Sequence, residues 1–546
     1  MAFGTERSAP MRAAPASVPP GQRVTGFRMR RTAMCLARAM RVAAQRAPCV
    51  TPAFRHAHAS PRRNVFAATA TSAEDTATSS TPWVPAPLAP VTSAYVHLPF
   101  CRRRCYYCDF AISVVGDNVE SDQVRRGMEA YVDRLVREIH GTQIAPSTAA
   151  AVAVNGHSPQ TDFPLRTVFF GGGTPSLVPP DLLEKVLDAL REKFGLRSDA
   201  EVSIEMDPGT FDHAKLVGYL AIGVTRVSLG VQSFDPDTLQ TAGRAHTVEE
   251  ARVACGEVHK ALKEAQASEQ KQNKKSAKKY SWSLDLISGL PGSSNSTWRA
   301  SLLEAVDKHP DHVSVYDLQI EEGTPFGRWY TSGVTPMPQE EDGATMFRDA
   351  SFILGAENFE HYEVSSYAKP GKRCEHNQVY WNSGKQGWYA FGMAATSHVS
   401  SREQRVARPR KMKEWEAWVD AMSVDVATTS IAGDESDEKK NDEAKAEALL
   451  ERLMLGLRTR DGVCLDSLAA EFGPNTPKEV LAVLKTQPPG LAVVVGADGN
   501  ERDAVEFSPG EDFTNAAVRL TNPEGLMVST EIISTLVARV PSLEAL

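Results

Sequence analysis

The chain has 546 residues, of which 42% are hydrophobic and 23% are charged, and its formal net charge is −8. This length and composition are typical of a globular protein with two or three domains. The negative charge provides no basic field for nucleic acid, and no run of about 18 uncharged apolar residues predicts a membrane span.

The first 73 residues have the composition of a targeting segment. They are rich in Ala, Pro, Ser and Arg, with twelve arginines and no lysine, and Glu6 is their only acid. This pattern predicts an organellar transit peptide over residues 1–73, with a disordered basic tail as the alternative. The Ser-, Thr- and Pro-rich residues 74–92 are predicted to be a linker.

From residue 93 onward, strand patterns alternate with helical patterns. Helices are predicted over residues 182–194 and 248–262, and six strands over residues 94–98, 167–170, 202–205, 226–230, 283–287 and 313–318. Strand followed by helix, repeated in this way, predicts parallel βα units with right-handed connections. The fold class is therefore α/β, a partial, TIM-like (βα)6 barrel over residues 93–330. Ligands of such folds gather at the carboxyl ends of the strands.

The rest of the chain divides by composition. Two polar segments, residues 141–162 and 264–280, are predicted to be surface insertions. Beyond the barrel we expect an extension, an acidic linker and a small, winged-helix-like α+β domain that starts with a helix over residues 444–457; their bounds are residues 331–422, 423–443 and 444–546.

Three cysteines, Cys101, Cys105 and Cys108, have the spacing C-x3-C-x2-C on the loop after the first predicted strand. Thiolates so spaced can converge on a soft metal, and the intervening arginines, residues 102–104, favour the thiolate form. Three ligands suit a [4Fe-4S] cluster with one open iron. Chance placement and a zinc site completed by His97 or another residue are the alternatives. The other cysteines are scattered, which predicts a reducing compartment without disulfides; they are Cys35, Cys49, Cys255, Cys374 and Cys464.

Two further motifs follow the second and third predicted strands. Gly171, Gly172 and Gly173 precede Thr174, and glycines there let a ligand approach the backbone closely. A tight turn is the alternative. Glu205 ends the third strand, where a carboxylate can accept hydrogen bonds from the hydroxyls of a ribose; the alternative is a helix-capping acid.

Polar side chains also end the fourth and fifth predicted strands. Gln232 and Arg244 could bind a ligand carboxylate, because the guanidinium fork suits that group. Asp285 lies in an otherwise apolar strand and needs a partner. A purely structural ion pair between Arg244 and Asp285 is therefore an alternative hypothesis.

These motifs, in this order, resemble the radical S-adenosylmethionine (SAM) family, in particular the branch that contains anaerobic coproporphyrinogen III oxidase and the heme chaperones. The resemblance spans residues 94–458. It implies that Cys101, Cys105 and Cys108 bind a [4Fe-4S] cluster that cleaves SAM reductively. It also implies a SAM site, for which the matching residues are Tyr95, Gly172, Gly173, Thr174 and Glu205. In the oxidase, the positions that match Tyr107, Gln232, Arg244 and Asp285 contact a second SAM.

Two features favour a heme chaperone over the oxidase. The oxidase has a further cysteine two residues beyond the last ligand, where this chain has Phe110. Residues 376–381 resemble the H-N-x-x-Y-W motif of the heme chaperones, which is associated with heme binding. His376 is a candidate axial ligand, and Tyr380 and Trp381 offer flat apolar faces. A packed core histidine is the alternative, and Cys374 is a rival ligand.

The resemblance therefore implies a chaperone that binds the cluster, SAM and heme and delivers heme to an apoprotein, with an electron donor as a further partner. The oxidase is the alternative function, and a zinc-stabilised binding module is a third. The oligomeric state stays open, a homodimer included. Residues 388–397 look most similar to the cyanobacterial and plant branch, which favours the chloroplast over the mitochondrion, although Ala390 and Ala394 stand where glycine is expected.

Overall fold

The computed structural model describes residues 89–142, 163–271, 279–382, 384–399, 405–422, 438–508 and 513–546. The predicted transit peptide lies outside these ranges. So do nearly all of the 74–92 linker and of the 141–162 insertion, and most of the acidic linker. No helix among the described residues is both long and apolar enough to cross a membrane.

The centre of the molecule is a parallel sheet whose strands follow one another in chain order. Its six parallel strands are β1 Ser93–Leu98, β2 Leu165–Gly172, β3 Leu196–Met206, β4 Arg226–Gln232, β5 Ser281–Ser288 and β6 His312–Asp317. Every predicted strand overlaps one of these, and the predicted partial (βα)6 barrel is confirmed. Strands covered on both faces need continuous apolar sequence, and all six residues of β1 are buried.

Three strands from the predicted extension complete this sheet. They are β7 Glu360–Glu363, β8 Ser366–Ala368 and β9 Tyr389–Phe391, and the full order is β9-β1-β2-β3-β4-β5-β6-β8-β7. Strand β9 runs parallel to β1, whereas β8 runs antiparallel to both β6 and β7. The sheet therefore extends beyond residue 330, into the segment predicted as an extension.

Helices cover the sheet from outside. Up to residue 422 they are α1 Asp122–Gly141, α2 Pro180–Phe194, α3 His213–Ile222, α4 Pro236–Thr241, α5 Val248–Lys271, α6 Asn295–Asp307, α7 Pro325–Trp329, α8 Glu340–Ala356, α9 Glu375–Trp381 and α10 Met412–Met422. Side-chain caps fix several starts; for example, Ser121 accepts a hydrogen bond from Val124 N–H. The prediction that α5 ends at residue 262 was wrong, because the helix continues into the segment taken as a polar insertion.

The interior of the barrel contains many polar side chains. Serines 203, 228, 283 and 314 face it from four neighbouring strands, beside His312 and Glu363, and leave a cavity of about 40 Å³. Barrels of this type usually fill their interior with bulky branched side chains. Helix α9 lines the cavity through Asn377 and Tyr380, near the amino ends of the strands.

The C-terminal domain has its own apolar core and is of the α+β type predicted. Its sheet has the order β10-β13-β11-β12, from strands Val463–Cys464, Ala517–Leu520, Ala492–Val495 and Glu501–Asp503. Its helices are α11 Glu438–Gly456, α12 Leu465–Phe472, α13 Thr476–Leu484, α14 Glu524–Met527 and α15 Ser529–Arg539. Helix α11 begins inside the segment predicted as an acidic linker.

Candidate functional site

The three cysteines lie on the loop that leaves the carboxyl end of β1. The loop is closed at its base, where Phe100–Cys101 pairs in parallel with Ser113–Val114. Within it, Cys108 N–H donates to Cys105 O at 3.2 Å. The backbone therefore fixes the loop on which Cys101, Cys105 and Cys108 stand.

Hydrogen-bond donors reach two of the three cysteine sulfurs. Thr174 Oγ1 donates to Cys101 Sγ at 3.4 Å, and Arg244 Nη1 donates to Cys105 Sγ at 3.4 Å. Donors aimed at sulfur stabilise thiolates and tune iron–sulfur centres. The three sulfurs and these two donors thus fit an iron–sulfur cluster.

Burial acts in the opposite direction on the free thiols. Burial, with a smaller contribution from the neighbouring cysteines, raises the pKa of Cys101 to about 12 and that of Cys108 to about 11. A thiolate at either position therefore needs a cationic partner. Within the described ranges, no three His, Cys, Asp or Glu side chains stand close enough together to hold a single metal ion.

His97 does not complete a zinc site. Its Nε2 lies 2.8 Å from Ala111 O and its Nδ1 lies 3.2 Å from the Tyr95 hydroxyl, so both ring nitrogens have partners. Burial lowers the pKa of this imidazole to about 4, which keeps it neutral. The zinc alternative would therefore need another residue as its fourth ligand.

The glycine-rich turn after β2 packs directly against the cysteine loop. Gly172 has a φ of 114°, and a Cβ on Gly173 would lie 2.7 Å from Phe100 O. Thr174 N–H donates to the same carbonyl at 2.7 Å. Glycine is therefore required here for contact between two loops as well as for any approach of a ligand.

Glu205 links the next strand to this turn. Its Oε2 accepts a hydrogen bond from Gly172 N–H at 3.0 Å, and burial raises the pKa of its carboxyl group to about 7. Tyr95 stacks on Phe169 with a centroid separation of 6.3 Å. Tyr95 and Glu205 both border the cavity of the barrel, so these two predicted SAM-site residues lie together.

Arg244 pairs with Asp207, and the suggested ion pair with Asp285 is wrong. Arg244 Nη2 contacts Asp207 Oδ1, and it also donates to Gly230 O at 2.9 Å. Nη1 donates to the Tyr107 hydroxyl at 3.1 Å. Burial disfavours the Asp207 carboxylate, but Arg244 and then His246 outweigh it and lower its pKa.

Asp285 instead accepts hydrogen bonds from serines. Ser228 Oγ donates to it at 2.7 Å and Ser283 Oγ at 3.0 Å, one from the neighbouring strand and one from its own. Burial raises the pKa of Asp285. Neutral donors therefore satisfy a carboxyl group for which an ionic partner had been expected.

Gln232 has a strained backbone at the end of β4. Its φ is 69°, in the left-handed region that side chains rarely adopt. Its Oε1 is buried and has no hydrogen-bond partner within the described residues. Strain and an unsatisfied acceptor at a strand end are typical of a ligand-binding position.

His376 lies at the other end of the barrel from the cysteines. It is 0% exposed, with Nδ1 2.8 Å from Thr167 Oγ1 and Nε2 2.8 Å from the Tyr380 hydroxyl. Burial lowers its pKa to about 3. Cys374 is also buried, and its Sγ faces Glu201 at 3.6 Å. Axial ligation of heme by either residue stays a prediction, and it requires these contacts to break.

Comparison with known proteins identifies the family. The Radical SAM superfamily model matches residues 160–302, and the HemN C-terminal domain model matches residues 444–486. Heme chaperone HemW of Synechocystis sp. is 36% identical over 449 residues, which are 82% of this chain and 96% of that protein. The chain belongs to the HemW family of radical SAM proteins.

Other HemW-family relatives match more distantly. HemW of Escherichia coli is 32% identical over 59% of this chain and 74% of its own length. Among solved structures, coproporphyrinogen III oxidase (HemN) of E. coli covers 82% of this chain with a TM-score of 0.59 at 18% identity, a likeness of fold.

The structure brings the predicted strand-end residues together, and three polar residues that were not predicted to bind SAM also lie there. Asp207 and His246 complete the environment of Arg244, with His246 Nδ1 3.2 Å from Asp207 Oδ1. Arg102 Nη2 donates to Pro208 O at 3.4 Å, and its buried Nε has no partner among the described residues. The signal for Asp207 was its position two residues after Glu205, at the same strand end.

Proposed function

We propose that this HemW-family protein is a heme chaperone that binds a [4Fe-4S] cluster, SAM and heme and passes heme to an apoprotein. One observation carries the proposal: three cysteines share one loop, two of their sulfurs have hydrogen-bond donors, and a glycine turn contacts that loop. The relatives from Synechocystis sp. and E. coli, of which this chain covers 96% and 74%, are named heme chaperones.

In this proposal Cys101, Cys105 and Cys108 hold the cluster, and Arg244 and Thr174 stabilise its sulfur ligands. When bound, the cluster supplies the electron for reductive chemistry on SAM. The residues proposed to hold SAM are Tyr95, Gly172, Gly173, Thr174 and Glu205. Tyr107, Gln232, Arg244 and Asp285 would contact a further ligand. Of these, Gln232 alone has a buried acceptor without a partner within the described residues.

The oxidase remains the alternative function. Phe110, which is 43% exposed, occupies the position at which that enzyme has a cysteine. An exposed aromatic side chain there offers no thiol to the cluster loop. This difference supports the chaperone.

The decisive experiment is anaerobic reconstitution of the full chain with iron and sulfide. We expect about four irons per chain, with the absorbance of an iron–sulfur cluster. The Cys105→Ser variant loses this absorbance. When heme is added to the reconstituted wild-type protein, its Soret band shifts. Cys464→Ser is the matched control, because Cys464 lies in the C-terminal domain, half-buried and far along the chain from the cluster loop.

Two outcomes would contradict the proposal. Conversion of coproporphyrinogen III by the reconstituted protein would establish the oxidase. Zinc in place of iron after anaerobic purification would remove the cluster and with it the radical SAM chemistry.

The finer partners follow from the same proposal. We infer an electron donor and a heme-accepting apoprotein, and a homodimer is left to measurement of mass in solution. We place the protein in the chloroplast, with the mitochondrion as the alternative. Imaging of residues 1–73 fused to a fluorescent protein decides between the two organelles.

A further inference from the structure

An aromatic cluster lies next to the cysteine loop. It contains Tyr106 and Tyr107 from the loop and three residues at or after helix α7, Phe326, Trp329 and Tyr330. The rings of Tyr106 and Trp329 meet edge to face with a centroid separation of 5.0 Å, and Phe326 meets Tyr330 at 5.0 Å. Because Tyr106 directly follows Cys105, this cluster adjoins the proposed iron–sulfur site.

Part of this aromatic cluster is exposed to solvent. Trp329 is 55% exposed and Tyr106 is 37% exposed, whereas Phe326 beneath them is 0% exposed. Large aromatic side chains usually bury most of their area, and grouped exposed ones mark binding surfaces. Trp329 and Tyr106 together form what we call the Tyr106–Trp329 face.

Backbone contacts hold this face in place. Tyr106 N–H donates to Ala242 O at 3.1 Å, and Phe326 N–H donates to Tyr106 O at 3.0 Å. A Cβ on Gly243 would lie 2.8 Å from the Tyr106 ring, so glycine is needed there for the ring to pack. A face fixed in this way loses little conformational entropy when a flat ligand stacks on it.

Charge beside the face indicates the kind of ligand. Arg328 precedes Trp329 on α7, is exposed, and donates through Nη1 to Gly323 O at 3.0 Å. Its guanidinium has five N–H donors, so most of them remain for a second partner. A ligand that fits is planar and apolar with carboxylate groups at its edge, and the porphyrin of heme has both properties.

We propose that the Tyr106–Trp329 face binds the porphyrin plane of heme and that Arg328 pairs with a propionate. This inference rests on the proposed heme chaperone function and gives it a site. That site lies at the carboxyl end of the barrel, opposite His376. It requires no rearrangement of the buried α9 histidine, whose two ring nitrogens both have partners.

Stacking on the Tyr106–Trp329 face and axial ligation of iron predict different ligand preferences. Stacking recognises the macrocycle, so metal-free protoporphyrin IX binds the face as heme does. A site built on an imidazole or a thiolate distinguishes the two, because its bond is to iron.

The test uses the reconstituted full chain, with each variant compared at equal cluster content. Heme and metal-free protoporphyrin IX are titrated separately, with absorbance and tryptophan fluorescence as readouts. We expect Trp329→Ala to weaken both ligands about tenfold, which corresponds to the loss of roughly one stacking contact. Trp329→Phe keeps an aromatic face and restores most of the affinity. Arg328→Gln weakens binding of heme but not of its dimethyl ester.

Phe352→Ala is the matched control, since Phe352 is a 78% exposed aromatic on helix α8. Wild-type affinity in Trp329→Ala would overturn the inference and leave the chaperone function standing. Binding of heme without binding of metal-free protoporphyrin would also overturn it, in favour of an axial ligand. If the wild-type protein bound neither ligand, the proposed function itself would fail.

Discussion

Ala394 adopts a backbone conformation that glycine adopts more easily. Its φ is 60°, and its N–H donates to Pro409 O at 2.9 Å, which holds the turn after β9 in place. A residue with a Cβ gives up roughly 1–2 kcal/mol in this region, and glycine loses about 0.4–1 kcal/mol through the unfolded chain. We therefore expect Ala394→Gly to stabilise the protein by about 0.5 kcal/mol, measured as a Tm higher by about 1–2 °C.

Ala390→Gly is the matched control for this substitution. Ala390 is also a position where the sequence led us to expect glycine, but it is a fully buried strand residue paired with Tyr95 and has no positive φ. Glycine at this position removes a buried methyl group and relieves no backbone strain, so we expect the Tm to fall. A lower Tm for both variants would show that the Ala394 turn is not strained.

Single residues also show what the sequence could not predict. The cysteine spacing and the strand-end polar residues predicted one site, and the structure brings Thr174 and Arg244 into contact with the cysteine loop. The partner of Arg244 was missed because two acids lie on the strands that flank β4: Asp207 directly follows β3, and Asp285 lies within β5. Two serines donate hydrogen bonds to Asp285, which leaves Asp207 as the partner of Arg244. Only the folded structure shows this arrangement.

At the scale of elements, helix α9 carries His376, for which a structural role and a role as heme ligand are compared. The structure makes His376 a buried link between β2, through Thr167, and the same helix, through Tyr380. His376→Ala would leave both hydroxyl groups without this partner and open a cavity. Such changes cost about 2–4 kcal/mol together. We expect thermal unfolding of the heme-free protein to shift down by several degrees.

Glu375→Ala is the control on the same helix, because Glu375 makes a surface ion pair with Arg166 in which both side chains are more than half exposed. That pair contributes little, so the Tm stays near that of the wild-type protein. An unchanged Tm for His376→Ala in the absence of heme would contradict the structural role and favour the ligand role. A loss of heme binding in His376→Ala indicates a ligand role only if the heme-free variant keeps the Tm of the wild-type protein.

Elements were predicted where apolar periodicity was strong. All six parallel strands were found, because each contains a short apolar run or apolar residues at alternate positions. The end of helix α5 was missed because residues 264–271 are helix-favouring but polar, with no apolar face to reveal the continuation. The strands of 3–4 residues that complete the sheet are too short for a periodic signal, and tertiary pairing defines them.

On the scale of the whole molecule, the C-terminal domain protects one edge of the barrel sheet. Strand β7 is the terminal strand, and the segment after α11 pairs with it through an antiparallel bridge between Glu363 and Thr459. Val364 N–H donates to Arg458 O at 3.0 Å, and Arg460 N–H donates to Tyr362 O at 2.9 Å. An uncovered edge strand can pair with another chain and aggregate. Because this contact covers β7, it couples the stability of the barrel to that of the C-terminal domain.

Arg460→Pro tests that contact. Proline has no N–H, so the hydrogen bond to Tyr362 O is lost while the rest of the C-terminal domain keeps its own core. We expect a destabilisation of about 1–3 kcal/mol, seen as a lower Tm, and faster amide exchange in β7. Arg460→Ala separates this effect from loss of the ion pair with Glu360, because it keeps the N–H and removes the guanidinium. Equal exchange in β7 for the two variants would mean that the backbone bridge does not protect the edge and that the side chains alone join the two parts.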